Sequence, residues 1–505
     1  MKKIIIFGLT CLFALSSCTE SFLESTPTTQ IPEEEFYNSE ERIMQGLVAA
    51  YGPLQWPDWA FGQYNPLQFV SDVMSDDVRV GGGNAKDNEH LQRMRFFNAT
   101  PVYVCESLWT IFYSGINRSN IVINRIDNVP NLNPATKNRI LAEAHTLRAY
   151  YYFWLWKLWG NVPYYSVNPS TPPFLIPQMP ADELYAKIIE DLNFALDGDK
   201  LPATVTANKE IGRITKATAQ MLKANVEMYQ KDETKYAEVL KDMQSIIGSG
   251  LYDLSDSFAD IWNDKGEWSK ESIFEVNYSD DLAARSWDNP LATGGSVYPT
   301  LIGINGLSNS PEFAGGGWGF EPVEKALYDS YESSDQRRDG GILNFAKHKE
   351  EYPEASYSPR YDDTGYFNRK YLPRQGGNSK STAPKELNYR NNYRVFRYSE
   401  TLLIASELLV RTGGSQLQAD EYLNKVRARA YRNTGNYKKT ATLDNLLMEN
   451  RLEFALEGHR FWDLVRFGKA EQVLGERGFT ANKKHLPIPQ SEIDKAQGTL
   501  TQNPY

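Results

Sequence analysis

The sequence predicts a mainly α, single-domain fold: a frame of paired helices that carries one large loop-rich insertion. Three observations predict it. Apolar residues recur at helical spacing in both the N-terminal and the C-terminal parts of the chain. The stretches that show it are mostly of roughly 12–16 residues and follow one another in pairs, as helix-turn-helix units do. Between about 248 and 391 the periodicity almost vanishes, and Gly, Pro, Ser, Asn and Asp become dense.

The elements follow in order. Residues Glu33 to Tyr51 read as a helix, with Phe36, Ile43, Leu47 and Ala50 on one face. Residues 52–62 hold two Pro and two Gly among three large aromatics, Trp56, Trp59 and Phe61, and form a loop. Asn65 to Val78 is helical, leads into Asp76-Asp77-Val78-Arg79, and is broken by Gly81-Gly82-Gly83. Long helices are predicted over Val104–Val129 and Asn133–Gly160. The second ends in Tyr150 to Trp159, apolar nearly all round, and so belongs inside. Helices follow at Ala181–Leu196, Thr215–Gln230 and Lys235–Ile247. Inside the insertion only Pro322–Tyr331 reads as helix and Ser272–Tyr278 as a short strand. So long a stretch without regular elements is expected to build function. Helices resume at Tyr393–Val410, Gln418–Arg429 and Leu446–Arg466.

The last of these is the most informative. Leu447, Phe454, Phe461 and Val465 fall on one side, with Leu452, Leu456 and Trp462 on the flank. Glu449, Glu453 and Glu457 are spaced by four, so like charges would stack along one stripe. Such charges are tolerated in a packed helix only if arginines pair with them. A structural ion-pair network is the expectation here, ahead of any catalytic role.

This stretch resembles the C-terminal signature of the SusD/RagB family of outer-membrane nutrient-binding lipoproteins: Arg451, Glu453, Phe454, Glu457, Gly458, Arg460, Asp463, Leu464 and Arg466 match, and Asn450 departs from the usual Glu. Further landmarks are Glu143 to Tyr151, Trp159-Gly160-Asn161-Val162-Pro163, Gly212 to Ala217, Arg397 to Glu400, Asn424 to Arg429, and the closing Leu486-Pro487-Ile488-Pro489 to Tyr505. The resemblance implies a tetratricopeptide-like frame, although no clean repeat of about 34 residues is visible. It also implies a non-catalytic protein that serves a SusC-like TonB-dependent outer-membrane transporter.

Composition is globular, with 41% hydrophobic and 23% charged residues, and aromatics are abundant, with 30 Tyr and 11 Trp. A net charge of −10 without a basic tract argues against nucleic acid as a partner. Lys2-Lys3 followed by apolar Ile4–Leu15 reads as a signal peptide over residues 1–17. Leu15-Ser16-Ser17-Cys18 resembles a lipobox, so Cys18 is the expected lipidation site and membrane anchor; the family resemblance implies that this anchor lies in the outer membrane at the cell surface. Residues 18–34 form a polar, Pro-containing tether and 35–505 the domain. Cys11 lies in the signal peptide, so Cys105 alone remains beside Cys18 and the domain has no intramolecular disulfide.

The chain lacks His-Glu-x-x-His, paired-Cys metal patterns, a Gly-x-Ser-x-Gly elbow and a phosphate loop. No cofactor is expected; structural calcium is compatible with the many Asp, but no Asp-x-Asp-x-Asp-Gly loop is present. Carbohydrate binding needs flat rings for the C–H faces of sugars and a few polar groups for the hydroxyls. Rings on loops are the candidates: Trp56 and Trp59 early, then Trp287, Tyr298 and Trp318 in the insertion, with Asp77, Arg79 and Asn84 as polar partners. The expected activity is capture of an oligo- or polysaccharide. The alternatives are a peptide-uptake protein of the same family, a lipid-anchored glycoside hydrolase, and a lid for the transporter with its aromatics buried.

Overall fold

The computed structural model describes residues 33–281 and 283–505. The signal peptide, Cys18 and the tether up to residue 32 lie outside the described residues. The helical frame comprises α1 (Glu40–Tyr51), α2 (Glu106–Arg125), α3 (Pro134–Trp159), α4 (Ala181–Leu196), α5 (Lys216–Gln230), α6 (Tyr236–Gly248), α7 (Tyr398–Arg411), α8 (Gln416–Ala430), α9 (Leu443–Phe454) and α10 (Arg460–Arg466). From α2 to α8 each helix packs on the next, the arrangement expected of tetratricopeptide-like pairs. The α6–α7 contact closes the frame across the insertion.

Local chemistry sets these helices. Asn133 accepts hydrogen bonds from the Ala135 and Thr136 amides, and Pro134 occupies the first turn of α3. Thr215 and Thr218 cap α5 reciprocally. Tyr150 to Trp159 are all buried, as an all-round apolar surface requires. Gly115 lets α2 approach α3: a Cβ there would lie 2.3 Å from the Tyr151 ring.

Three expectations need correction. Tyr393–Val410 is not one helix. Tyr393–Arg397 is a strand, β4, paired antiparallel with β1 (Ser272–Val276), and α7 starts only at Tyr398. Its aromatic and β-branched residues suit a buried strand once a partner is supplied from the insertion. The insertion is more ordered than its composition implies. It holds short helices at Tyr298–Ile302, Lys325–Ser330, Gln336–Gly341 and Phe345–Glu351, and the pair β2 (Ile342–Asn344) and β3 (Tyr366–Asn368). A small core of Ile304, Leu307, Phe313, Leu343, Phe367 and Leu372 lies among them. Finally, Leu446–Arg466 is two helices. The chain turns between α9 and α10 with Leu456 at φ +67° and Gly458 at φ +83°. At Gly458 a Cβ would stand 2.8 Å from the Gln68 Cα, so the turn is packed against the residue 67–73 helix.

The predicted pairing of the glutamates is present. Glu449 meets Arg337 (2.6 Å) and Arg427. Glu453 meets Arg337 (3.1 Å), Arg397 (2.9 Å) and Arg429. Glu457 meets Arg397 (2.8 Å) and Lys370 (2.6 Å). Glu271 adds bonds to Arg397 and Arg429 at 2.7 and 2.8 Å. All are buried. Burial alone would raise the Glu453 carboxyl, but the three guanidinium groups hold it far below the usual carboxylate range. Arg397→Met leaves Glu271, Glu453 and Glu457 short of a cation and should lower unfolding free energy by about 3–5 kcal/mol in urea titrations.

A second buried cluster works in the opposite sense. Glu321 accepts from the Tyr298 hydroxyl and from Asn368 Nδ2 (3.1 Å), and Asp72 accepts from the Gly458 amide (3.2 Å). Burial pushes Glu321 up to about 7 and raises Asp72 as well, with the Glu321 charge adding to the latter. A carboxyl raised in the fold contributes stability that is present below its ordinary value near 4.5 and is lost as pH rises through about 7. The melting temperature should therefore fall between pH 5 and pH 8, and Glu321→Gln should shrink that fall in differential scanning calorimetry.

Candidate functional site

Four aromatic rings from three stretches of chain meet at one surface. The loop after α1 makes two tight turns, Gly52–Leu54 and Trp56–Asp58, with Pro53 and Pro57 setting their φ angles. It then runs extended through Trp59, whose ring stacks on Tyr64 with centroids 4.6 Å apart and planes 23° apart. Trp287 comes from the insertion and meets Trp59 edge to face at 5.5 Å. Trp318 lies nearly parallel to Trp287, 18° between planes and 6.2 Å between centroids, and edge-on to Tyr64 at 5.4 Å. Trp318 is placed by a close backbone crossing, since a Cβ on Gly317 would come within 1.9 Å of the Gly303 carbonyl carbon. Trp287 is 40% exposed, and Trp59, Tyr64 and Trp318 are half-buried. Phe61 and Tyr361 are further exposed aromatics, and Tyr361 donates its amide to the Gly82 carbonyl beside this surface.

Polar groups border the rings. Trp287 Nε1 donates to Glu386 Oε1 at 3.1 Å. Thr300 joins two of the segments: its carbonyl accepts from the Trp318 amide and its hydroxyl donates to the Glu386 carbonyl. Arg360 Nη1 donates to the Trp318 carbonyl at 3.0 Å. Asp87 accepts from the Gly83 amide at 2.8 Å, and exposed Asn84 sits in the same loop. Burial, with the Asp87 charge adding, pushes the Tyr64 hydroxyl up to about 12.

Not every residue expected at this surface reaches it. Trp56 is 5% exposed and turned into the core, with the Arg118 guanidinium 4.8 Å from its ring centre. Tyr298 is 2% exposed, its hydroxyl spent on Glu321. Asp77 is fully buried and paired with Arg451 at 2.6 Å. Arg79 pairs with Glu324 at 3.2 Å, and Glu324 is shared with Arg95. Trp56, Tyr298 and Asp77 hold the fold together and are not free for a ligand, whereas Arg79 is paired but its side chain stays 37% exposed. Trp59, Trp287, Trp318 and Asn84 remain.

Sequence profiles match the chain in two parts. One described as the SusD family covers residues 270–483, and one described as starch-binding and associating with the outer membrane covers residues 21–228. Surface glycan-binding protein A of Bacteroides thetaiotaomicron, solved in complex with laminarihexaose, is 43% identical, covers 93% of this chain and 100% of its own, and superposes with a TM-score of 0.87. The chain belongs to the SusD family. A laminarin-binding SusD-like protein of known structure is 33% identical over 93% of this chain and 100% of its own, with a TM-score of 0.84. The starch-binding protein SusD of Bacteroides thetaiotaomicron is 25% identical, over 71% of this chain and 68% of its own.

Within this SusD-family chain, no group of three or more His, Cys, Asp or Glu side chains among the described residues is arranged to hold a metal ion. None of the described helices is long and apolar enough to cross a membrane. The Cys105 thiol is buried and pushed up to about 12. Burial also holds His459 and His485 down to about 3. A separate groove of about 510 Å³, lined by Met44, Val48, Ile211 and Arg213, has no tryptophan in its wall. Sequence reasoning missed Tyr64, Glu386 and Arg360. Tyr64 stands in the same early aromatic cluster and was accessible to it; Glu386 and Arg360 are far along the chain and carry no local signal. The split in burial predicts opposite consequences of truncation. Trp56→Ala should cost about 3–5 kcal/mol of unfolding free energy, whereas Trp287→Ala should cost under about 1 kcal/mol in the same denaturation experiment.

Proposed function

We propose that this protein captures an oligo- or polysaccharide at the cell surface and passes it uncleaved to a SusC-like TonB-dependent transporter. The observation that carries the reading is the surface of Trp59, Tyr64, Trp287 and Trp318 with carboxylates and an arginine at its border. Indole faces cover the apolar C–H faces of pyranose rings, and Glu386, Asp87, Asn84 and Arg360 offer partners for hydroxyls. Relatives bound to laminarihexaose or described as laminarin-binding make a laminarin-type glucan the first ligand to try. Lipid attachment at Cys18 would hold this surface outside the outer membrane. That location is supported by the profile associating residues 21–228 with the outer membrane, whereas the transfer to the transporter rests on the family resemblance alone.

Isothermal titration with laminarihexaose, laminarin, starch oligosaccharides and peptides tests the reading. Binding of a glycan without release of reducing sugar is the expected result. Trp287→Ala and Trp318→Ala should each weaken it by roughly 2 kcal/mol, about thirtyfold in Kd. Binding of peptides alone, or release of sugar, would replace this reading with peptide uptake or hydrolysis.

A further inference from the structure

Trp59 and Trp287 stand on separate loops, and a single buried side chain reaches both. Arg285 lies two residues before Trp287 and is 1% exposed. Its Nη2 donates to the carbonyl of Trp59 itself at 2.6 Å. Its Nη1 donates to the Gly295 carbonyl at 3.0 Å and its Nε to the Pro290 carbonyl at 3.1 Å, which fixes the loop around Trp287. Asp58, next to Trp59, neutralises the guanidinium at 2.6 Å. The other Asp58 oxygen accepts from the Ser296 hydroxyl and the Val297 amide at 2.9 and 2.8 Å. A third segment joins through Asn388. It donates to the Arg285 carbonyl and accepts from the Gly295 amide, both at 3.0 Å, and lies two residues from Glu386, the partner of the Trp287 indole.

We infer that Arg285 is a positioning residue for glycan capture: it joins the Trp59 and Trp287 loops so that their rings stand in register before a ligand arrives. The inference rests on the proposed glycan-binding role of the surface. Its physical basis is preorganisation. Two loops free to move would have to be ordered at the moment of binding, and a rigid pair of rings avoids that cost. Only a guanidinium serves here, because it presents donors in a planar fork to three carbonyls at once while its charge is offset by Asp58. An ammonium is a compact charge that cannot reach all three.

The test compares Arg285→Lys and Arg285→Met with the parent protein by titration with laminarihexaose, near-ultraviolet circular dichroism of the indoles, and melting temperature. Arg213→Met serves as the control, since it removes an ion pair between half-buried Arg213 and buried Glu143 away from the rings. Both Arg285 variants should bind at least about tenfold more weakly and change the indole spectrum. In the Arg285→Lys background the penalty of Trp287→Ala should shrink, because the ring is already displaced. Arg213→Met should melt earlier yet bind as the parent does. Folded Arg285 variants that bind as tightly as the parent, or whose effect simply adds to that of Trp287→Ala, would overturn the inference. If Arg285→Met does not fold, Arg285→Lys decides alone. If the parent protein itself binds no laminarihexaose, the functional reading fails for that glucan, and the indole spectrum still decides whether Arg285 sets the ring geometry: an altered spectrum supports it and an unaltered one refutes it.

Discussion

The structure depends on buried ion pairs between Glu449, Glu453 and Glu457 and the cations that surround them. Arg427 and Arg429 reach them from α8, Arg397 from β4, and Arg337 and Lys370 from the loop-rich insertion. One stripe of carboxylates thus joins helices that are distant in sequence to the insertion that carries Trp287 and Trp318. Replacing such pairs with apolar residues can be neutral, but removing one partner leaves an uncompensated charge in a poor dielectric. Undocking the insertion would strip these carboxylates of Arg337 and Lys370. The turn at Ala455–His459 is part of the same device. By ending α9 it lets Glu457 face Arg397 and Lys370, while Arg460 turns to Asp76 at 2.8 Å.

The helical frame accordingly sets where the surface rings can be. α1 delivers the loop with Trp59, the insertion is held by the glutamate stripe, and the two meet where Trp59 touches Trp287. The indoles are neither loose on mobile tips nor sealed in the core. Trp287 is 40% exposed, and Trp59 and Trp318 are half-buried against neighbouring rings. A stable frame and exposed apolar rings are opposed demands, and the arrangement meets both by confining exposure to a few rings bordered by charge.

Much of the frame was legible in the sequence because helical periodicity is a local signal. Ala181–Leu196 is a helix over the bounds its apolar spacing gives, and the spacing of Glu449, Glu453 and Glu457 correctly required arginine partners. What failed was non-local. Tyr393–Arg397 continues the apolar run of α7, and only its partner Ser272–Val276 makes it a strand. The turn at Gly458 is dictated by the helix over residues 67–73 packed against it. The rings show the same limit. Trp56 and Trp59 stand three apart in one Pro-rich loop, and nothing local says which turns inward; the ring partners, Arg118 for Trp56 and Trp287 for Trp59, lie elsewhere along the chain. Asp77 looks like a free polar group until Arg451 is placed beside it.

The central claim is that an already formed surface of indoles receives the sugar. A crystal structure of the protein soaked with laminarihexaose tests it most directly. The account predicts glucose rings lying against Trp59, Trp287 and Trp318, with the indoles in the positions they hold without ligand. Sugar seated instead in the groove of Met44, Val48 and Ile211, with the indoles untouched, would contradict it.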